Sequence, residues 1–232
     1  MVLFIQAMSK QQLSFNIASP RRGVKWKAGA ALAAPECARR EDPRVLRTRT
    51  LIVQAFEKAM DEKGFAAVSV RDIVERAGIN RATFYDHFDD KFALLNSMIR
   101  VAFSRELDRS ALRERRPDRE ALQALILTVC SFVAGFHEHC KPPHDHFDSL
   151  METQVKALTK EVISGWLGAA GSAWRVPASH RDLAANAVSW AIYGLTLSWV
   201  QGKRRQAAPA FVRTVLPLAE RILGGGQSAR RT

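Results

Sequence analysis

The chain reads as an all-α protein of about nine helices, and three observations lead there. From Thr48 onward apolar residues recur at three-to-four spacing, no stretch alternates as a strand does, and no internal repeat is present. With 232 residues, 47% of them hydrophobic, the chain can bury one large helical domain or two sharing a core. The pattern divides it into a basic arm at 1–42, a helix-turn-helix domain at 43–95, a helical domain at 96–224 and a flexible tail at 225–232.

The arm shows no sustained period and holds Pro20, Gly23, Gly29 and Pro35 among scattered cations, so it is expected to be disordered. A solvated tail is its simplest role, a minor-groove arm the alternative, and Met8 offers a second start in the same frame. From Thr48 a helix follows, with Leu51, Ile52, Ala55, Phe56, Ala59 and Met60 on one face. Gly64 is placed to end it as a left-handed cap, with Phe65 packing behind. Ser69 and Asp72 make a capping-box start for the second helix, whose inward stripe is Val70, Ile73, Val74 and Ala77.

Ala77-Gly78-Ile79-Asn80 is a tight turn: Gly78 takes the positive φ, Ile79 plugs the core and Asn80 caps the third helix. In that helix Ala82, Tyr85 and Phe88 can share a face while Arg81, Thr83 and His87 point elsewhere. Asp89 or Asp90 begins a fourth helix through Phe92, Leu95, Met98, Ile99 and Phe103. Beyond residue 110 helices are expected over Leu122–His137, Phe147–Leu167, Arg181–Gln201 and Ala210–Leu223, within about five in all. Gly224-Gly225-Gly226 releases the tail.

Leu183 to Val200 runs eighteen residues without a charge and is followed by Lys203, Arg204 and Arg205, a membrane-like profile. Asn186, Ser189, Gly194, Thr196 and Ser198 within it favour a helix buried in a protein interface, and no membrane partner is expected. No secretory signal stands out, and Cys37, Cys130 and Cys140 make neither a CxxC nor a disulfide framework. A cytoplasmic protein is expected.

The formal charge of +12 suits a polyanionic partner without identifying one. Residues 48–100 carry eight basic and eight acidic side chains, so the helix-turn-helix region is neutral. Any grip on DNA there must come from a few placed cations and helix N-termini. Two short helices joined by a glycine turn are the build that lays its second helix in the major groove of double-stranded DNA. Ser69, Arg71 and Lys91, each beside a helix N-terminus, are candidates for phosphate, and Arg81, Thr83 and His87 for base edges.

A pocket for a small molecule would draw on Phe103, Leu125, Phe132, Phe136, Phe147, Met151, Trp166, Trp174 and Tyr193, although aromatics at helical spacing are more often plain core. His137, His139, Cys140, His144 and His146 gather donors favoured by transition metals. Their spacing is no standard zinc motif, so a solvated loop is the simpler reading and a metal-responsive protein the alternative. No G-x-S-x-G, catalytic Ser/His/Asp context or phosphate-cradling glycine loop is present, so neither an enzyme nor a cofactor is expected.

The run from Arg49 to Leu95 resembles the TetR family of bacterial one-component transcriptional regulators. The resemblance lies in the arginine ahead of Ile52, in SVRDIVERAGINRATFYDHF, and in FDDKFALL with its Lys91. It departs at Phe92, where the family commonly has Glu, and Asp86 puts a negative charge in the recognition helix. The resemblance implies a three-helix DNA-binding domain and a fourth helix leading to an all-α ligand-binding domain. It further implies a homodimer through 181–201 and 210–223 on a palindromic operator, released when a small-molecule inducer changes the separation of the recognition helices. It adds Arg49 and Tyr85 to the DNA-contacting set, and repression is the expected sign.

Overall fold

A computed structural model describes residues 42–139, 145–202 and 206–224. Among these every regular element is helical, and the chain divides into two compact units, one ending at Ser97 and the next beginning at Met98. The arm at 1–41 and the tail from 225 lie outside the described residues.

In the first unit, α1 (Pro43–Lys63) starts earlier than its apolar period. Asp42 accepts from the Arg44 N–H at 2.9 Å, and Pro43, whose missing N–H costs nothing there, takes the first position. Ile52, Ala55, Phe56, Ala59 and Met60 are buried, whereas Leu51, expected on that face, is 40% exposed. Gly64 ends α1 with φ 74° and donates to the Met60 carbonyl at 2.9 Å, but its ψ of 156° is extended instead of left-handed helical. The Phe65 ring then stands edge-on to Phe56 and Phe92, with centroids 6.1 and 5.3 Å away. Phe92 thus replaces a charge by an aromatic contact.

Helix α2 (Val70–Ala77) opens with the expected capping box and closes at Gly78, φ 66° and ψ 31°. There the Ile79 N–H returns to the Val74 carbonyl at 3.1 Å, a closure that requires the positive φ. Ile79 is only half-buried. In α3 (Arg81–His87) the buried residue is Phe84, paired with Phe88 just beyond the helix, while Ala82 is exposed. Ala82, Tyr85 and Phe88, expected to share a face, are exposed, half-buried and buried in turn; the inward line is Phe84 with Phe88, because four-residue spacing brings two large rings together. Asp90 starts α4 (Lys91–Arg109) by accepting from the Ala93 N–H at 2.7 Å.

The second unit takes the later part of α4 together with α5 (Arg119–His139), α6 (Asp145–Gly168), a short 3-10 turn at Ala178–His180, α7 (Arg181–Gln201) and α8 (Ala208–Ile222). Helix α7 packs on α6, α5 and α8, and α5 on α8. Phe103, Leu107, Leu122, Leu125, Val155 and Val188 are among its fully enclosed side chains. After α4 the chain turns at Ala111, a non-glycine residue at φ 51°. The Leu112 N–H reaches back to the Leu107 carbonyl at 3.1 Å, and the Trp166 indole donates to the Leu112 carbonyl at 3.0 Å. Asp118, accepting from the Ala121 N–H, begins α5 before the apolar period does. An Arg119–Glu220 ion pair ties that end to α8.

Among the described residues two helical stretches, Arg119–His137 and Ala178–Gln201, are long and apolar enough to cross a membrane by length and composition. Both pack against other helices of their unit.

Candidate nucleic-acid interface

The N-terminus of α2 is closed reciprocally. The Asp72 N–H donates to Ser69 Oγ at 3.2 Å, and the Ser69 N–H and hydroxyl donate to Asp72 Oδ2 at 2.9 and 2.7 Å. Lys63 Nζ, at the end of α1, donates to the other carboxylate oxygen at 2.5 Å. The Lys63 bond first, and then those from Ser69, hold the Asp72 carboxyl well below the usual carboxylate range. The cap therefore stays ionised at neutral pH while Ser69 stays exposed. Arg71, two residues on, is exposed and gives its Nε to Glu75, at 2.7 Å. Its terminal nitrogens are the ones a phosphate would meet.

On α3, Asn80 is a cap: its Oδ1 accepts from the Thr83 N–H at 2.7 Å. Arg81 is exposed, donates from Nη2 to Tyr85 Oη at 3.1 Å, and holds its guanidinium 5.6 Å from the Tyr85 ring centroid. That contact orients a long side chain which would otherwise lose rotamer entropy on binding. The Tyr85 ring stands edge-on to buried Phe84, so its body is half-buried. Thr83 and His87 are half-buried too, and Asp86 is exposed. Ser69, Arg71, Arg81, Thr83, Tyr85 and His87 thus lie in one unit, on two helices joined by the Gly78 turn.

Two expected contacts are placed differently. Arg49 is 3% exposed, with its guanidinium 5.3 Å from the Phe88 centroid. A cation enclosed behind a ring packs the end of α3 and does not reach a phosphate from there. Lys91, expected to face outward, directs Nζ to the carbonyls of Phe65, Ala66 and Val68 at 3.0, 3.2 and 2.7 Å. Burial lowers its pKa.

Sequence reasoning overlooked the Lys63–Asp72 bond, the Arg76–Glu62 pair at 2.5 Å, and Glu57. Glu57 is 3% exposed, its Oε1 has no hydrogen-bond partner, and burial, aided by the nearby Asp61 charge, raises its pKa to about 7. A charged residue on the apolar face of α1 was its only signal.

In the second unit Phe103, Leu125, Phe132, Phe136, Met151, Trp166, Trp174 and Tyr193 are all buried, and the Phe103 and Phe132 rings lie 4.9 Å apart. The Phe147 side chain lies outside the described residues. Among the described residues there, Gln154 Oε1, Thr159 Oγ1 and Trp174 Nε1 are buried without a hydrogen-bond partner. Burial, then the Glu152 and Asp148 charges, push the Tyr193 phenol well above its ordinary range. Of the histidine and cysteine cluster only the His137 side chain is described; His139, Cys140, His144 and His146 fall outside. Among the described residues no group of three metal-binding side chains occurs.

Residues 52–98 match the family model described as bacterial regulatory proteins, tetR family. The chain is 36% identical over 109 residues to the uncharacterized HTH-type transcriptional regulator YxbF of Bacillus subtilis (strain 168), a stretch covering 45% of this chain and 29% of that protein. It is 27% identical over 130 residues to the HTH-type transcriptional repressor KstR2 of Rhodococcus jostii (strain RHA1), covering 52% of this chain and 62% of the other. The chain thus spans less than two thirds of either relative. A crystal structure of a TetR-family regulator from Streptomyces coelicolor A3 superposes with a TM-score of 0.56 at 15% identity, covering 79% of this chain and 98% of that one, which supports the fold.

Proposed function

We propose that this chain, whose residues 52–98 match the tetR family of bacterial regulatory proteins, is a cytoplasmic, ligand-responsive transcriptional repressor. It binds a palindromic operator as a homodimer and is released by a small molecule. The observation that carries the reading is the pairing of α2, with its ionised cap and exposed Ser69 and Arg71, to an α3 that presents Arg81 already oriented by Tyr85. Ser69, Arg71 and Tyr85 serve phosphates, while Arg81, Thr83 and His87 serve base edges.

Dimerisation through α7 and α8 is supported by their outward faces. Leu183 and Trp190, one heptad apart on α7, are 65% and 56% exposed, and Leu218 and Ile222 on α8 are exposed as well. Apolar side chains at such spacing on packed neighbouring helices form the seam of a helical interface. Within the second unit, Gln154 and Thr159 on α6 are the polar groups that a ligand among the buried aromatics would satisfy. The chemistry throughout is binding, with no catalytic step.

Selection of bound duplexes from a random pool tests the reading. A palindrome with half-sites about one helical turn apart is expected. A pool that shows no enrichment after repeated rounds would refute it.

A further inference from the structure

We propose that Lys91 is a positioning residue for DNA binding: it ties the Phe65–Val68 loop to the start of α4, sets the exposed N-terminus of α2 at Ser69, and makes no phosphate contact itself. This rests on the DNA-binding function proposed above.

An ammonium has three donors and no acceptor. All three of Lys91's are directed at the loop, to Phe65 O at 3.0 Å, Ala66 O at 3.2 Å and Val68 O at 2.7 Å. The nitrogen also sits 4.7 Å from the Phe65 ring centroid and 5.7 Å from that of Phe92, so aromatic faces complete its surroundings. A phosphate could take this lysine only by stripping a carbonyl, and the Phe65 and Val68 bonds are partly buried. Leaving the Val68 carbonyl without that donor opposes the exchange.

The loop closes on itself through a long bond, from the Val68 N–H to the Phe65 carbonyl at 3.3 Å. The Lys91 bonds add three more to its carbonyls. Val68 immediately precedes Ser69, so the shortest of the three acts one peptide from the residue that caps α2 and faces outward. Lys63 holds the same helix start from the other side through Asp72. Two lysines from two helices therefore converge on the α2 N-terminus, and both direct their ammonium groups to oxygens of the protein.

The two roles for Lys91 separate by chemistry. Arginine serves a phosphate at least as well as lysine does, but its planar fork cannot aim three donors at one focus. The measurements are affinities of wild type, Lys91→Arg and Lys91→Met for the most enriched duplex and for a random-sequence duplex across a salt series. Amide hydrogen exchange at residues 65–69 of the free proteins accompanies them. Positioning predicts that both variants lose about tenfold in affinity, and that Lys91→Met keeps the wild-type salt slope within about 0.3. It also predicts faster exchange at 65–69 in both.

The exchange measurement guards against misfolding, since it applies to whichever variant remains helical by circular dichroism. Wild-type-like binding by Lys91→Arg, a slope shallower by about 0.9 in Lys91→Met, or unchanged exchange at 65–69 would each overturn the inference. Failure of the wild type to bind either duplex removes the proposed function instead, and the exchange data still decide whether Lys91 sets the loop.

Discussion

Replacing Glu57 by glutamine should flatten the pH dependence of the first unit and stabilise it above neutrality. Glu57 is 3% exposed on α1, its Oε1 has no partner, and its pKa is raised from 4.5 to about 7 by burial and by Asp61. In the unfolded chain the carboxyl ionises near its ordinary value; in the folded unit it keeps its proton until about pH 7. Between those two points the folded state binds more protons, so stability falls as pH rises, and it is level on either side. Each pH unit of that gap corresponds to roughly 1.4 kcal/mol, which makes the full loss about 3 kcal/mol. Relaxation around the ionised carboxylate brings the realisable difference to about 2 kcal/mol.

The glutamine variant has the same shape and no proton to lose. Its advantage over wild type should be near zero at pH 4.5 and should grow to about 2 kcal/mol at pH 8. Amide exchange of residues 52–60, corrected for intrinsic rates, measures the local opening free energy at both pH values without mixing in the second unit. Parallel curves for the two proteins would show that Glu57 ionises freely in the folded unit, and the burial argument would fail.

Arg81→Ala should weaken binding to the selected operator by roughly 1–3 kcal/mol and relax preference at one base pair; full retention of affinity and specificity in a binding titration would remove it as a base reader. Ala111, at φ 51° after α4, should gain about 0.5–1 kcal/mol when replaced by glycine, seen as a higher thermal midpoint; an unchanged or lower midpoint would show that the turn carries no strain. Leu218→Asp on the outward face of α8 should raise the dimer dissociation constant by at least about tenfold in sedimentation equilibrium. A dimer indifferent to that charge would place the interface elsewhere.

What could be read in advance was what the chain writes locally. The capping box of Ser69 and Asp72, the Gly78 turn and the Asn80 cap act over three or four residues, and each is present. Helix α7 is bounded as expected, Arg181–Gln201, because its charge-free run ends at Gly202. The bounds of α5 and α6 run a few residues wider, and at α5 the start is set by Asp118, whose cap precedes the apolar period. Aromatic spacing in the second unit could identify side chains that go inside, but not which of them a ligand would touch. Fully buried Phe103 and Leu125 look the same in either role.

Charged side chains were harder, because type and helix position do not say which way an ion turns. Arg49 and Arg81 both precede apolar residues by three or fewer positions, yet one is enclosed behind Phe88 and the other lies open along Tyr85. The difference is tertiary: Phe88 comes from 39 residues further along the chain, whereas Tyr85 is one turn along the same helix. Lys91 follows the first case, since its acceptors lie 23 to 26 residues upstream. A formal charge near a helix N-terminus therefore predicts anion binding only where nearer oxygens have not already claimed it. In this unit Arg71 meets Glu75 through Nε and Arg81 meets Tyr85 through Nη2, so each guanidinium has further donors to offer an anion, whereas Lys91 directs all three of its donors to carbonyls.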